Sequence, residues 1–362
     1  MEQIVPDVER IVVLRANGLG DAVIAEPALA AVRAAYPAAR ITLVTSPGVA
    51  ALLDGRPHAV DEVLVGPRVR GVCVAGPEHD PPDVVEAFCA RMRARRFDLA
   101  LQLHGGGGNA NPLLLRFGAR VTAGSRAPGA PALDRTVPWT AHQHDLLRFL
   151  EVVALVGAEP VRLRPRIAVT PADRAAADRV LADAAVPPGP GPLVVLHPGA
   201  TDPRRRWPPH RLGEVGAALD GARVLVTGGP GDDALLEEIR AGLDGAPASV
   251  VRPSLPALLG LLERADLLIG NDSGPRHLAE AVGTATVGVF TRANLVDVAP
   301  LFRARHRVHV SWASACEVCG RDVFAEPCDH GATVLADVPT ADVAASAADL
   351  LGLRTREPAP TG

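Results

Sequence analysis

Twice along its 362 residues, short runs of β-branched and aliphatic residues alternate with amphipathic helical patterns. That alternation constrains the fold more than any other feature of the chain. Strands that read as near-continuous apolar runs belong in parallel sheets covered on both faces by helices. In the first half, residues 11–15, 41–44, 62–65 and 99–103 read as strands, and 22–36 and 144–156 as helices. The second half restarts with strands at 193–197, 223–227, 267–269 and 286–290. Helices fit 209–219, 233–243, 255–264 and 275–282. The expected architecture is α/β, with two doubly wound domains at 1–165 and 166–340. A linker falls at 161–170, and the Pro/Gly run at 187–192 reads as a second linker or as a turn into the next strand. The closing helix at 341–353 is expected to pack back on the first domain, and the tail after Arg354 to be loose.

Composition removes several function classes. Nearly half the residues are hydrophobic, so a packed globular protein is expected. Lys and Arg number 37 against 41 Asp and Glu, so no strong field draws the chain to nucleic acid or anionic lipid. Residues 1–10 mix charges and lack the apolar stretch of a secretion signal, and no run is long enough to span a bilayer. The expected compartment is the cytoplasm, with at most peripheral membrane association. Five cysteines do not suggest a disulfide scaffold. Cys316-x-x-Cys319 with Cys328 and His330 has the donor types of a zinc site. The second pair is oddly spaced, however, so these residues read as free thiols and no metal is expected; Cys73 and Cys89 have no partners in sequence.

Doubly wound sheets bind ligands at the carboxyl ends of their strands, so the loops there carry the chemistry and two such domains would offer a shared cleft. The strand at 193–197 runs into Pro198-Gly199-Ala200-Thr201-Asp202-Pro203-Arg204-Arg205-Arg206-Trp207. Glycine, a hydroxyl and clustered guanidinium forks suit a diphosphate, although a solvated basic loop has the same composition. Asn271-Asp272-Ser273-Gly274-Pro275-Arg276-His277 follows another strand and opens a helix. Asp272 or Ser273 can cap that helix, whose free amides also make an anion site within reach of His277. Gly228, Gly229 and Asp232 form a third such loop, where glycines admit a nucleoside and an acid can hold ribose hydroxyls. In the first half, Asn17-Gly18-Leu19-Gly20-Asp21 misses the GxGxxG spacing, which disfavours a nicotinamide-dependent oxidoreductase. The residues alone favour Asp21 as a helix cap, and its sharper role is a general base. His104 to Asn109 is a further strand-end loop, suited to lining an acceptor site or to a plain connection.

These loops, in this order, resemble glycosyltransferase family 9, the ADP-heptose:lipopolysaccharide heptosyltransferases. The resemblance rests on Gly20-Asp21 with Pro27, Gln102-Leu103-His104-Gly105, His197-Pro198-Gly199-Ala200 with Arg205-Arg206-Trp207-Pro208, Gly228-Gly229-Pro230, and Asn271 to Pro275 with His277. It implies a GT-B fold of two Rossmann-like domains. It also implies inverting, metal-independent transfer of a heptose or related sugar from an ADP-type donor to a hydroxyl of a glycan or small acceptor, with no cofactor. Carried onto this chain, Asp21 is the base and Asn17, Gly20, His104 and Asn109 are acceptor contacts. Thr201, Arg205, Arg206, Gly228, Gly229, Asp232, Asp272, Ser273, Gly274 and His277 surround the donor. Departures are Arg205 in place of lysine, Asp232 in place of glutamate with Asp233 as a substitute, and Thr291-Arg292 in place of Gly-Pro-Thr. Rival readings are a GT-B-fold transferase using another nucleotide sugar, a nucleotide-sugar 2-epimerase and a non-catalytic nucleotide-sugar binder.

Overall fold

The computed structural model describes residues 4–73, 78–184, 186, 189–326 and 328–353. The tail after Arg354, and Pro187 and Pro188 of the 187–192 run, lie outside the described residues. The chain divides into two compact units, Met1–Ala168 and Val169–Gly362.

The first unit opens with β1 (Arg10–Leu14), α1 (Leu19–Ala35), β2 (Arg40–Thr45), α2 (Pro47–Leu53) and β3 (Glu62–Val65). It continues with α3 (Pro82–Ala94), β4 (Leu99–Gln102), α4 (Ala110–Leu115), β5 (Val121–Arg126), β6 (Arg135–Pro138) and α5 (Asp145–Ala154). Its six strands are parallel in the order β3-β2-β1-β4-β5-β6. Sequential winding runs outward from β1 to β3, then returns across the sheet to β4. The point where the winding reverses lies between β1 and β4, and the loops leaving their carboxyl ends diverge there.

The second unit repeats this plan. It contains α6 (Pro171–Asp183), β7 (Leu193–His197), α7 (Pro209–Ala218), β8 (Arg223–Thr227), α8 (Asp233–Leu243) and β9 (Ala248–Val251). Then come α9 (Leu255–Arg264), β10 (Leu267–Asn271), α10 (Gly274–Val282), β11 (Ala285–Thr291), α11 (Arg292–Val298), β12 (His306–Ser311) and α12 (Thr340–Leu351). The parallel order β12-β11-β10-β7-β8-β9 places its reversal between β7 and β10. Central strands are largely aliphatic and buried, which is why their runs stand out in the sequence. The strands β5, β6, β9 and β12 escape such a reading because they mix polar with apolar residues.

Two glycines let helices of the second unit touch backbone to backbone. A Cβ on Gly242 of α8 would sit 1.8 Å from the His210 carbonyl oxygen, and one on Gly213 of α7 would sit 2.2 Å from that of Ile239. The close crossing brings Leu212, Val215, Ile239 and Leu243 into one core with the sheet. The closing helix α12 buries Val343, Ala344, Ala347 and Ala348 in this same core. Spaced three and four apart, those small side chains form one narrow stripe that packs against α7 and the sheet.

Candidate functional site

In the first unit the β1 loop meets the β4 loop at the winding reversal. The helix α1 begins at Leu19, three residues earlier than its apolar pattern suggests, with Gly18 as N-cap. Asp21 is therefore the third helical residue and not the N-cap itself. Its Oδ2 accepts the Gly18 N–H at 2.9 Å, half of a capping box that glycine cannot reciprocate. Its Oδ1 accepts from the Arg15 guanidinium at 2.8 Å, and Arg15 lies buried with its guanidinium carbon 4.7 Å from the centre of the Phe149 ring. The carboxylate is thus oriented from two sides, yet its side chain remains 39% exposed.

Across the reversal, the Asn17 amide lies 3.5 Å from His104 Nε2, and the Gly71 carbonyl lies 2.6 Å from the same nitrogen. A carbonyl can only accept, so Nε2 carries the hydrogen and Nδ1 holds a lone pair. That buried Nδ1 has no partner among the described residues. Burial and then the Arg15 charge hold the His104 pKa below its ordinary value, so the ring is neutral near pH 7. Asn109 joins this group through Gly71, where a Cβ would meet its amide nitrogen at 2.6 Å. Gly20 lies in the first turn of α1. Gln102, the last residue of β4, ties the loop down: its amide donates to the His104 carbonyl at 2.6 Å and its oxygen accepts the Ser125 N–H at 3.4 Å.

The second unit builds its site at the equivalent place. Asn271, the last residue of β10 and fully buried, accepts the Trp207 N–H at 2.9 Å and donates to the Pro198 carbonyl at 2.6 Å. Both ends of the 198–207 loop are thereby stapled to the β10 end. Buried Trp207 adds a second anchor, donating from its ring nitrogen to the Val338 carbonyl at 3.1 Å. Along this loop Thr201 is exposed, Arg205 reaches Asp272 Oδ2 at 3.3 Å, and Arg206 donates to the Ala200 carbonyl at 2.9 Å.

Asp272 does not cap α10. Buried at 4% side-chain exposure, it accepts from Arg205, from His277 Nε2 at 3.1 Å and from the Asn294 amide. Burial alone would raise its carboxyl, but the His277 hydrogen bond, the Arg276 charge and the Asn294 amide outweigh that and hold it well below the usual range. His277 is pushed down by burial and then by Arg276, whose guanidinium lies 2.6 Å from its Nδ1. These partners assign a neutral imidazole with the hydrogen on Nε2. Ser273 occupies the N-cap of α10 without a side-chain capping bond, and Gly274 and Pro275 form the first turn.

The β8 loop adjoins the same site through Gly199 and His197. A Cβ on Gly199 would lie 2.8 Å from His197 Nε2 and 3.3 Å from Asp232 Oδ2. Asp232 is held by the Gly229 N–H at 2.7 Å, next to buried Gly228. Asp233 is exposed and turns to Arg252. Burial pushes the His197 pKa down to about 4, against an opposing pull from Asp232. Arg15, Gln102, Asn271, Arg276 and Asn294 were absent from the sequence-derived site; Asn294, for one, reaches Asp272 from another element.

The five cysteines are free thiols. Cys316, Cys319, Cys328 and His330 lie together, with their ligand atoms all within 4.8 Å of one another. The turn that closes this group brings the oddly spaced second pair back onto the first. Cys73 and Cys89 are buried in the first unit, and burial pushes the Cys73 thiol up to about 12.

The model of glycosyltransferase family 9 (heptosyltransferase) matches residues 85–323. The chain belongs to glycosyltransferase family 9. The expected resemblance is borne out. Lipopolysaccharide heptosyltransferase 3 of Escherichia coli is 34% identical over 103 residues, which span 27% of this chain and 30% of that protein. A family 9 glycosyltransferase of Veillonella parvula DSM 2008 superposes with a TM-score of 0.75 at 22% identity, covering 95% of this chain and 97% of that one. The ADP-heptose lps heptosyltransferase II of E. coli gives 0.70 at 18% identity, covering 94% and 98%. E. coli heptosyltransferase WaaC with ADP-2-deoxy-2-fluoro heptose gives 0.57 at 20% identity, covering 83% and 92%. The family 9 fold of two Rossmann-like units, class GT-B, is thus the fold of this chain.

Two outcomes are expected from this geometry. Asn271→Leu leaves the Trp207 N–H and the Pro198 carbonyl without partners, so denaturant unfolding should show a loss of about 2–4 kcal/mol. Wild-type stability in that variant would remove the staple. His197 supplies a pH dependence. Between about pH 6.5 and pH 4 the unfolded chain binds a proton that the folded chain refuses, so its contribution is complete above that window and is lost as pH falls through it. Urea unfolding at pH 7 and pH 5 should show the drop, and His197→Gln should shrink it. An undiminished drop in the variant would place the effect elsewhere.

Proposed function

We propose that the chain transfers a heptose or related sugar from an ADP-activated donor to a hydroxyl of a glycan or natural-product acceptor, with inversion. The observation that carries this reading is the convergence of Arg205, Arg206, Thr201 and the α10 start at the second winding reversal. A diphosphate needs positive charge and N–H donors on one side, and these groups supply both. Asp272 balances Arg205 and Arg276 and holds the Arg205 fork in place. Gly228, Gly229 and Asp232 then receive the nucleoside. The WaaC structure named for its bound ADP-2-deoxy-2-fluoro heptose supports the choice of donor.

In the first unit, Asp21 would take the proton of an acceptor hydroxyl as that oxygen attacks the anomeric carbon. Help of this kind is worth about 10²–10⁴-fold. The bond from the sugar to the diphosphate breaks, and ADP leaves with the electron pair. Arginine forks and the helix start stabilise the charge that gathers on it. Asn17, Gly20, His104 and Asn109 would hold the acceptor. The unpartnered Nδ1 lone pair of His104 favours a second reading, in which His104 takes the proton and Asp21 serves to shape the loop.

Asp21→Asn keeps an oxygen for the Gly18 N–H and removes the base. It is expected to lower turnover at least ~10²-fold while ADP binding stays within a few-fold, read by calorimetry and product assay. Normal turnover in that variant would transfer the role to His104. Arg205→Ala is expected to weaken ADP more than about tenfold, in line with the loss of a charge-assisted hydrogen bond. Undiminished affinity would reject the diphosphate assignment. Release of an epimerised nucleotide sugar without acceptor would identify an epimerase instead.

A further inference from the structure

Between β12 and α12, the described residues of 312–339 carry no helix or strand of their own. A stretch of that length needs another source of order. Part of it is apolar: Val323, Val334, Leu335 and Val338 are buried in the second unit's core. The remainder is folded around Cys316, Cys319, Cys328 and His330.

The first two cysteines lie on a tight turn. The Cys316 N–H donates to the Arg321 carbonyl at 2.8 Å, the Gly320 N–H donates to the Cys316 carbonyl at 2.8 Å, and Ala315 bridges Asp322. Gly320, directly after Cys319, has φ +72°, a left-handed conformation that glycine adopts without strain. The Cys316 sulfur lies 3.8 Å from His330 Nδ1. In a tetrahedral site with metal–sulfur bonds of about 2.3 Å, donor atoms stand about 3.7 Å apart. The spacing of up to 4.8 Å seen here needs a contraction of about 1 Å to close on an ion.

We propose that Cys316, Cys319, Cys328 and His330 form a structural zinc site that orders this segment and, through it, the loop carrying Arg205. Three thiolates and an imidazole make a closed tetrahedral set, the donor type that selects zinc and leaves no position for substrate. A disulfide would use two sulfurs and leave the third thiol and the imidazole gathered to no purpose. The link to the donor loop runs through Arg204. Its guanidinium donates to the Val323 carbonyl at 3.0 Å, and its own carbonyl accepts the Val334 N–H at 3.1 Å. Arg292 adds an ion pair to Asp322 at 3.1 Å. Zinc thus acts on the donor loop by position, with no part in the reaction.

Metal content is read without donor or acceptor, so its outcome stands apart from that of the transferase reading. Elemental analysis of the full chain, purified under reducing conditions and equilibrated with zinc, is expected to find about one zinc per chain. Cys319 and His330 are exposed, so Cys319→Ser and His330→Ala are expected to fold and yet lose zinc to a competing chelator more than about tenfold faster than wild type. Chelation should lower the melting temperature and speed proteolysis within 312–339, both reversed by added zinc. Absence of zinc after equilibration, iron held in its place, or three thiols that react freely with zinc present would each overturn the proposal.

Discussion

The second unit depends on the side-chain amide of Asn271. An arginine-bearing loop that leaves a central strand and returns to the core at Trp207 must find partners for backbone groups at both of its ends. Asn271 meets this need by pairing one N–H and one carbonyl at the two ends of the loop. A buried carboxamide can do so because it carries a donor and an acceptor without net charge. The first unit uses the same device, with Gln102 at the end of β4 joining the His104 carbonyl to Ser125. In both units the amide stands on the fourth strand of the winding, beside the reversal where the loops part.

Charge in the second site is arranged around Asp272. Asp272 is buried among Arg205, Arg276, His277 and Asn294, and Arg276 is balanced again by Glu280 at 3.1 Å. Breaking one member of such a network exposes the others to the cost of an unpaired buried charge. The neutral state of His277 follows from burial beside Arg276. Asp21 sits differently. It is partly exposed and shared between a helix start and Arg15, so it combines a structural role with access to solvent.

Much of the fold was legible because central parallel strands are buried on both faces and therefore spelled in aliphatic residues. Outer strands such as β6 and β12 were not, since partial exposure admits Arg, Thr and His into them. The strand-end loops that bear Thr201, Arg205 and Asp232 were legible from their residue types, and the structure places each after its strand. Asn294 was not, because it reaches Asp272 from a helix twenty-two residues further on. The fate of α12 was also hidden: a stripe of alanines fits any nearby apolar face, and only the packing against α7 selects one.

By itself the sequence determined two α/β units, the strand ends that bear chemistry, and the family to which those ordered loops belong. These are local properties, set by periodicity and by residue type at fixed spacing. Tertiary structure alone decided which loops meet. It brought Asn17 beside His104, Arg205 to Asp272, and Cys316 to Cys328 and His330. Contacts of that kind depend on strand order and on turns that fold the chain back on itself, and neither is written in the spacing of the residues concerned.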